Sequence, residues 1–459
     1  MNDEIKKIRE VYFIGIGGIG MSALARYFHS KGVIVSGYDK TKTALTKELE
    51  EEGIIVHYED DPDRVPKGVQ LVVYTPAVPA DHKELVFYRQ NGYKVVKRSE
   101  VLQMITESSF NICVAGTHGK TTITTMIAHL LRDSGYGCNA FLGGISVNYE
   151  TNFWSSEKNV CVVEADEYDR SFLKLNPDIA VISAMDPDHL DIYGTAGAME
   201  QAFIDFSGKL RAEGLLVSKF GLKRGKELKA GRHLSYSLQN ESADAYASNI
   251  RMKNGSYEFT VGIKDYKLEN IVLHMGGMHN VENVVAAITV ASSLGIEDDK
   301  IRTAVENFRG VKRRFEYIIK NDRLVFIDDY AHHPEELRAL INGARTLFSQ
   351  KKCTVIFQPH LYTRTRDLAD GFAEVLDMAD EVFLLPVYPA RETPIEGVTS
   401  EMIAKKMKMT KVSICDKKEI LGILDDMTVY GDDLEILITA GAGDIDMLVE
   451  PIKKILERK

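Results

Sequence analysis

The chain has 459 residues, too many for one hydrophobic core, so two to four domains are expected. Its composition, 44% hydrophobic and 27% charged, is ordinary for a soluble globular protein, and the net charge of -10 argues against non-specific nucleic-acid binding. No apolar run reaches the roughly 18 residues of a membrane span, and the charged segment Met1 to Glu10 lacks the apolar centre of a secretory signal. Five scattered cysteines without metal-ligand spacing fit a reducing cytoplasm.

The first element is the strand Val11-Tyr12-Phe13-Ile14, which runs into Gly15-Ile16-Gly17-Gly18-Ile19-Gly20. Glycines there let backbone N–H groups approach phosphate closely at the start of a helix. Asp39, about 20 residues on at the end of the strand Val33 to Gly37, completes the pattern of a dinucleotide fingerprint. Taken alone this loop suits a nicotinamide-dependent dehydrogenase. Short β-branched runs alternating with helical stretches predict a parallel sheet. The polar segment Thr106 to Phe110 marks a boundary, giving a first domain over 1–107.

A second strand, Asn111 to Val114, runs into Gly116-Thr117-His118-Gly119-Lys120-Thr121-Thr122. This loop adds a lysine for phosphate charge and a threonine hydroxyl for a metal, although it is shorter than the usual GxxxxGK[ST] form. A lysine beginning a helix otherwise faces a positive helix end, which leaves phosphate as the reason for it. Two phosphate loops in one chain point to a reaction that joins or transfers a group at the expense of a nucleoside triphosphate.

Further acidic and polar clusters follow the next strands. Glu164-Ala165-Asp166-Glu167 closes the strand Val160 to Val163 and suits a Mg²⁺ site. Asp186 to Asp191 surrounds His189 with acids after the strand Ile179 to Ile182. Asn254-Gly255 between two strand-like runs is a hairpin signal, so a small antiparallel sheet is expected in the central domain, 108–313. Gly276 to Asn283 opens a helix that carries Asn280 and Asn283 on one face.

Strand and helix alternate again from Arg314, giving a third domain over 314–459. Asp328-Asp329-Tyr330-Ala331-His332-His333-Pro334 and Gln358-Pro359-His360-Leu361-Tyr362-Thr363-Arg364 each follow a strand. Concentrated polar and cationic groups there suit an anionic ligand.

In this order and over nearly the whole chain, these motifs resemble the Mur ligases, ATP-dependent enzymes of bacterial peptidoglycan synthesis. The resemblance implies an α/β fold of three domains: a Rossmann-like N-terminal domain holding a UDP-sugar, a central P-loop ATPase domain, and a Rossmann-like C-terminal domain for the amino acid. Within the family the motifs look most like the branch whose substrates are ATP, UDP-N-acetylmuramate and L-alanine. A branch that reattaches recycled tripeptide is the alternative. The resemblance implies Lys120, Glu164, His189 and Asp329 as the catalytic set, with Mg²⁺ at Thr121, Glu164 and His189. It places ATP on Gly116 to Thr122, Asn280, Asn283 and Arg314. It places the UDP-sugar on Gly15, Gly17, Gly18, Ile19, Gly20 and Asp39, and the amino acid on His360 and Arg364. Leu361 departs from the basic residue common at that position.

Overall fold

The computed structural model describes Ile5 and residues 7–168, 170–187, 190–390, 392–430 and 434–458. Within these, the β-branched runs form strands of three sheets, and the α/β, three-domain expectation holds. The first sheet contains β1 (Glu10–Ile14), β2 (Ile34–Tyr38), β3 (Ile55–His57), β4 (Leu71–Tyr74) and β5 (Val95–Lys97) in the order β3-β2-β1-β4-β5. Every pair is parallel. The chain fills one side of β1 first and then crosses to the other, so the first glycine loop leaves β1 where the strand order reverses, the usual ligand crevice of an open parallel sheet.

The second sheet contains β6 (Phe110–Ala115), β7 (Asn139–Ser146), β8 (Thr151–Trp154), β9 (Val160–Glu164), β10 (Ile179–Ile182), β11 (Leu215–Lys219), β12 (Arg232–Ser237), β13 (Ala245–Lys253), β14 (Ser256–Ile263) and β15 (Tyr266–Leu273). Its order is β15-β14-β13-β12-β11-β10-β6-β9-β7-β8. β6 pairs in parallel with β10 on one side and β9 on the other, so the second loop also sits at a switch point. The antiparallel strands expected around Asn254-Gly255 continue this same sheet, because β12 pairs in parallel with β13. Asn254 and Gly255 both have positive φ, 49° and 66°, as a two-residue hairpin turn of type I′ requires.

The third sheet contains β16 (Glu316–Lys320), β17 (Val325–Asp329), β18 (Cys353–Phe357), β19 (Glu381–Leu384), β20 (Val412–Ile414) and β21 (Ile436–Ala440) in the order β16-β17-β21-β18-β19-β20. Only β16 runs antiparallel to its neighbour.

The chain divides into two compact units. The first is Met1–Ser248, Thr260–Ile271 and Glu282–Phe308; the second is Asn249–Phe259, Val272–Val281 and Arg309–Lys459. In the first unit one continuous hydrophobic cluster runs from the helix Ile19–Ser30 to the centre of the second sheet. Tyr27 of that helix packs against Phe141 and Phe153, with ring centroids 5.6 and 6.0 Å apart. In the second unit the third sheet carries a separate core on each face. The five cysteines are buried and unbridged, the inert hydrophobic role their apolar surroundings suggest. No helix among the described residues is long and apolar enough to cross a membrane.

Candidate functional site

The second loop is tied to the end of β10 at several points. Gly116 has φ +139°, and a Cβ there would fall 2.8 Å from the Ala184 amide nitrogen. Thr117 N–H donates to Ala184 O (3.3 Å), Asp186 N–H to Thr117 Oγ1 (3.2 Å) and Ser183 Oγ to His118 O (2.5 Å). Gly119, at φ +80°, caps the helix Lys120–Asp133. Its missing side chain leaves room for Asn283, whose Oδ1 would stand 3.0 Å from a Cβ. The structure thus brings Asn283 against the loop from far along the chain.

Lys120 and Thr121 each meet a carboxylate. Lys120 Nζ donates to Gly116 O (2.7 Å) and to Glu167 Oε1 (2.6 Å). Glu167 is buried; burial raises its pKa, and the Lys120 ammonium opposes that rise. Thr121 Oγ1 donates to Glu164 Oε1 (3.0 Å), while the Gly143 amide of β7 donates to Glu164 Oε2 (3.1 Å). A hydroxyl and a carboxylate converging beside a phosphate loop are hard oxygen donors of the kind Mg²⁺ takes. No group of three or more acidic, His or Cys side chains that could hold a metal occurs among the described residues. His189 lies outside the described residues.

The first loop is braced from within its own domain. Gly15 N–H and Ile16 N–H both donate to Tyr38 O, at 2.8 and 2.9 Å. Asp39 accepts from Gly17 N–H (2.8 Å) and Thr41 N–H (3.1 Å), so its carboxylate holds the loop itself. Gly18 precedes the helix Ile19–Ser30 as its N-cap. At Gly20 a side chain would run into the Arg98 guanidinium, which donates to Asp166 Oδ2 at 3.2 Å. Arg98 and Gly20 line a cavity together with Phe141, Gly143, Glu164 and Asp166. The cavity therefore opens between the start of the first loop's helix and the carboxylate that accepts from Thr121. Arg98 and Gly143 were not singled out from sequence: an isolated Arg and a mid-strand Gly carry no local signal.

In the second unit, Asn280 is buried; its Nδ2 donates to Gly276 O (2.6 Å) and its N–H to Gly277 O (2.9 Å). Gly276 leaves no room for a Cβ because the Phe315 ring lies on it. Phe315 N–H donates to Asp329 Oδ2 (2.6 Å), and Ala331 N–H donates to Asp329 Oδ1 (2.7 Å). Burial pushes the Asp329 carboxyl up to about 7 against these donors and the charge of Arg314. Arg314 itself is exposed, whereas its neighbour Arg313 makes an ion pair with Asp328 at 3.3 Å and donates to Gly441 O. Asp329 thus fixes the linker, with Arg313 and Phe315 at φ +60° and +48°.

His360 and Arg364 are together. Arg364 Nη1 lies 3.3 Å from His360 Nδ1. An arginine only donates, so His360 Nδ1 accepts and carries no proton in this contact. The His360 ring stacks on Tyr388 (5.8 Å, 15°) and meets His332 edge-on at 6.0 Å. His332 Nδ1 lies 2.9 Å from the Tyr330 carbonyl, which fixes the proton there, and burial lowers its pKa. Leu361 stands between His360 and the helix Tyr362–Leu376 at φ +68°, a strained value for a side chain with a Cβ.

Three family models match the chain in succession: "Mur ligase family, catalytic domain" over residues 10–109, "Mur ligase middle domain" over 114–291, and "Mur ligase, glutamate ligase domain" over 313–443. The UDP-N-acetylmuramate–L-alanine ligase of Phocaeicola vulgatus is 48% identical over 463 residues, covering 99% of this chain and all of that protein. Among solved structures, the UDP-N-acetylmuramate-alanine ligase of Thermotoga maritima superposes with a TM-score of 0.81 at 29% identity, covering 98% of both chains. A murein peptide ligase from Psychrobacter arcticus shares the fold at 21% identity and a TM-score of 0.67, over 98% of this chain and 99% of its own. The three models cover the chain in the order of its three sheets, and the chain belongs to the Mur ligase family.

Proposed function

We infer that this chain is an ATP-dependent ligase that joins L-alanine to the carboxylate of UDP-N-acetylmuramate, a step in peptidoglycan precursor synthesis in the cytoplasm. The observation that supports the reading is the cavity lined by Gly20 on one side and Glu164 on the other, where a sugar on the first loop and a triphosphate on the second would meet. Full-length similarity to the P. vulgatus ligase selects the substrates. Residues 1–107 take the UDP-sugar on Gly15, Gly17, Gly18, Ile19 and Gly20, with Asp39 as the brace of that loop. Residues 108–313 take ATP, and residues 314–459 take the amino acid.

The reaction has two transfers. An oxygen of the muramate carboxylate attacks the γ-phosphorus and ADP leaves, giving an acyl phosphate. The alanine ammonium gives up a proton, the free amine attacks the acyl carbon, phosphate leaves, and a second proton is lost from the nitrogen to give the amide. The amides of Gly116 to Thr122 and the Lys120 ammonium hold the β- and γ-phosphates, where charge stabilisation contributes most to phosphoryl transfer. Thr121 and Glu164, with His189, would hold Mg²⁺, which would supply further positive charge to the phosphates. Arg98 lines the cavity between the two loops. Asn280, Asn283 and Arg314 flank the nucleotide, and Asp329 positions the linker that bears Arg314. His360 and Arg364 receive alanine, whose carboxylate pairs with Arg364.

The test is ADP release with purified protein, ATP, Mg²⁺ and candidate acceptors. Release is expected only when UDP-N-acetylmuramate and L-alanine are both present. Stimulation by free muramyl tripeptide rather than alanine would select the recycling branch. Tight NAD(H) binding without ATP binding would overturn the ligase reading in favour of a dehydrogenase.

A further inference from the structure

We propose that Asn152 is a positioning residue that holds the sugar loop in register with the phosphate loop. The proposal rests on the ligase reading above. Asn152 lies on β8, at the edge of the second sheet, and is fully buried. Its Nδ2 donates to Ile19 O (2.5 Å) and to Ser22 Oγ (2.9 Å), both in the first turn of the helix that follows the first loop. Its Oδ1 accepts from Arg26 Nη1 (2.5 Å) in the same helix. Because Arg26 only donates, the amide has one possible orientation. Arg26 is in turn held by the Glu52 carboxylate, through Nε at 2.9 Å and Nη2 at 2.6 Å.

β8 pairs antiparallel with β7, and β7 carries Gly143, whose amide holds Glu164. One hairpin therefore grips both sides of the cavity: Asn152 fixes the carbonyl next to Gly20, and Gly143 fixes the carboxylate that accepts from Thr121. Asn152 does not line the cavity. Its effect is on the distance between the two bound substrates, and a displacement near 1 Å costs on the order of 100-fold in such a reaction.

The test compares the parent with Asn152→Asp, which still accepts from Arg26 but gives Ile19 O no donor, and with Asn152→Ser, which is too short to bridge Ile19 and Arg26. Both variants are expected to lower kcat roughly 10- to 100-fold. Calorimetric Kd values for UDP-N-acetylmuramate and for ATP with Mg²⁺ should stay within about threefold, since each site lies within its own domain. Phe153→Leu loosens the same hairpin without touching the amide, and should lower Tm while keeping kcat. Parent-like kcat in the Asn152 variants overturns the proposal. So does a parallel loss of sugar affinity, or an equal loss of kcat in Phe153→Leu. A parent that releases no ADP with both substrates overturns the ligase reading instead.

Discussion

Lys120 and Glu167 form an ion pair at 2.6 Å whose acidic partner is 1% exposed and whose basic partner is 15% exposed. The second Glu167 oxygen has no hydrogen-bond partner among the described residues. The lysine that would meet the triphosphate is thus also the group whose charge opposes the cost of burying a carboxylate.

Lys120→Ala should therefore fail in two separable ways. Turnover should vanish while UDP-sugar affinity is retained, because the two loops belong to different domains. Stability should fall by about 3–5 kcal/mol, the usual result of stripping one partner from a buried pair. Adding Glu167→Gln should restore most of the stability and none of the turnover. Thermal unfolding and calorimetry on the single and double variants check this; a double variant as unstable as the single one would show that the pair is not the cause.

Gly143→Ala should behave like a change at Glu164. A Cβ on Gly143 would overlap the Glu164 carboxylate, approaching Oε1 to 2.7 Å. The carboxylate must then leave Thr121, since the strand backbone cannot yield easily. We expect kcat to fall on the order of 100-fold, with sugar affinity unchanged, and higher Mg²⁺ to recover part of the loss. Unaltered kcat at saturating Mg²⁺ would mean that Glu164 need not stay where Gly143 holds it.

The first domain should carry a pH-dependent element of stability at Glu84. That side chain is fully buried; its Oε2 lies 2.7 Å from Tyr12 Oη, which in turn lies 2.6 Å from His57 Nε2. His57 Nδ1 faces the Glu59 carbonyl at 3.0 Å, so it carries the proton. With Glu84 protonated and His57 neutral, the three side chains carry no net charge. Burial raises Glu84 to about 7, against the pull of Tyr12 and the Asp61 amide, and burial lowers His57. A carboxyl raised in the folded state gives stability that is fully present below about pH 4.5 and lost as pH rises through about 7. The difference in stability between the parent and Glu84→Gln should change by about 3 kcal/mol between pH 5 and pH 8, with the parent falling relative to the variant. Parallel pH profiles would show that Glu84 titrates normally.

The amino-acid site should reject bulk far better than it rejects smallness. Losing the alanine methyl costs about 1–3 kcal/mol, or roughly 10- to 200-fold, in an apolar pocket. Larger side chains must displace the stacked His360–Tyr388 pair, which costs more. Glycine and serine should be poor substrates, leucine inert, and alaninamide inert because Arg364 would lose its anion. Comparison of kcat/KM across these amines decides the matter; efficient use of leucine or alaninamide would show that His360 and Arg364 do not form the pocket.

Both loops and the hairpin turn were legible in the sequence because their residues answer local demands. Gly116, Gly119 and Gly255 occupy positive φ, and Lys120 opens a helix where only an anion would want it. The residues that join these parts were not legible. Asn152 meets Ile19 across 133 residues, and Arg98 meets Asp166 across 68, so neither leaves a periodic or spacing signal. The pairing of β12 with β13, which merges the antiparallel strands into the central sheet, is likewise a long-range register that no single run of residues encodes. Asp39 was legible by its spacing after the second strand, and the contact it makes with the Gly17 amide was not.

The β13–β14 turn has a consequence for how the protein is made. Gly255 lies under the Phe348 ring, and its carbonyl accepts from Tyr317 Oη at 3.1 Å and Lys320 Nζ at 2.9 Å. On the ribosome the turn emerges well before Tyr317, and longer before Phe348, so it stays uncovered for roughly 5–20 s at ordinary elongation rates. The C-terminal segment has the opposite difficulty. Released alone from Arg309 onward, it would carry the Lys320 ammonium without its Gly255 and Ser256 acceptors and the Phe348 ring without Gly255 beneath it. The last third of the chain is therefore a domain in its sheet topology whose surface around Tyr317, Lys320 and Phe348 is completed by a turn translated before it.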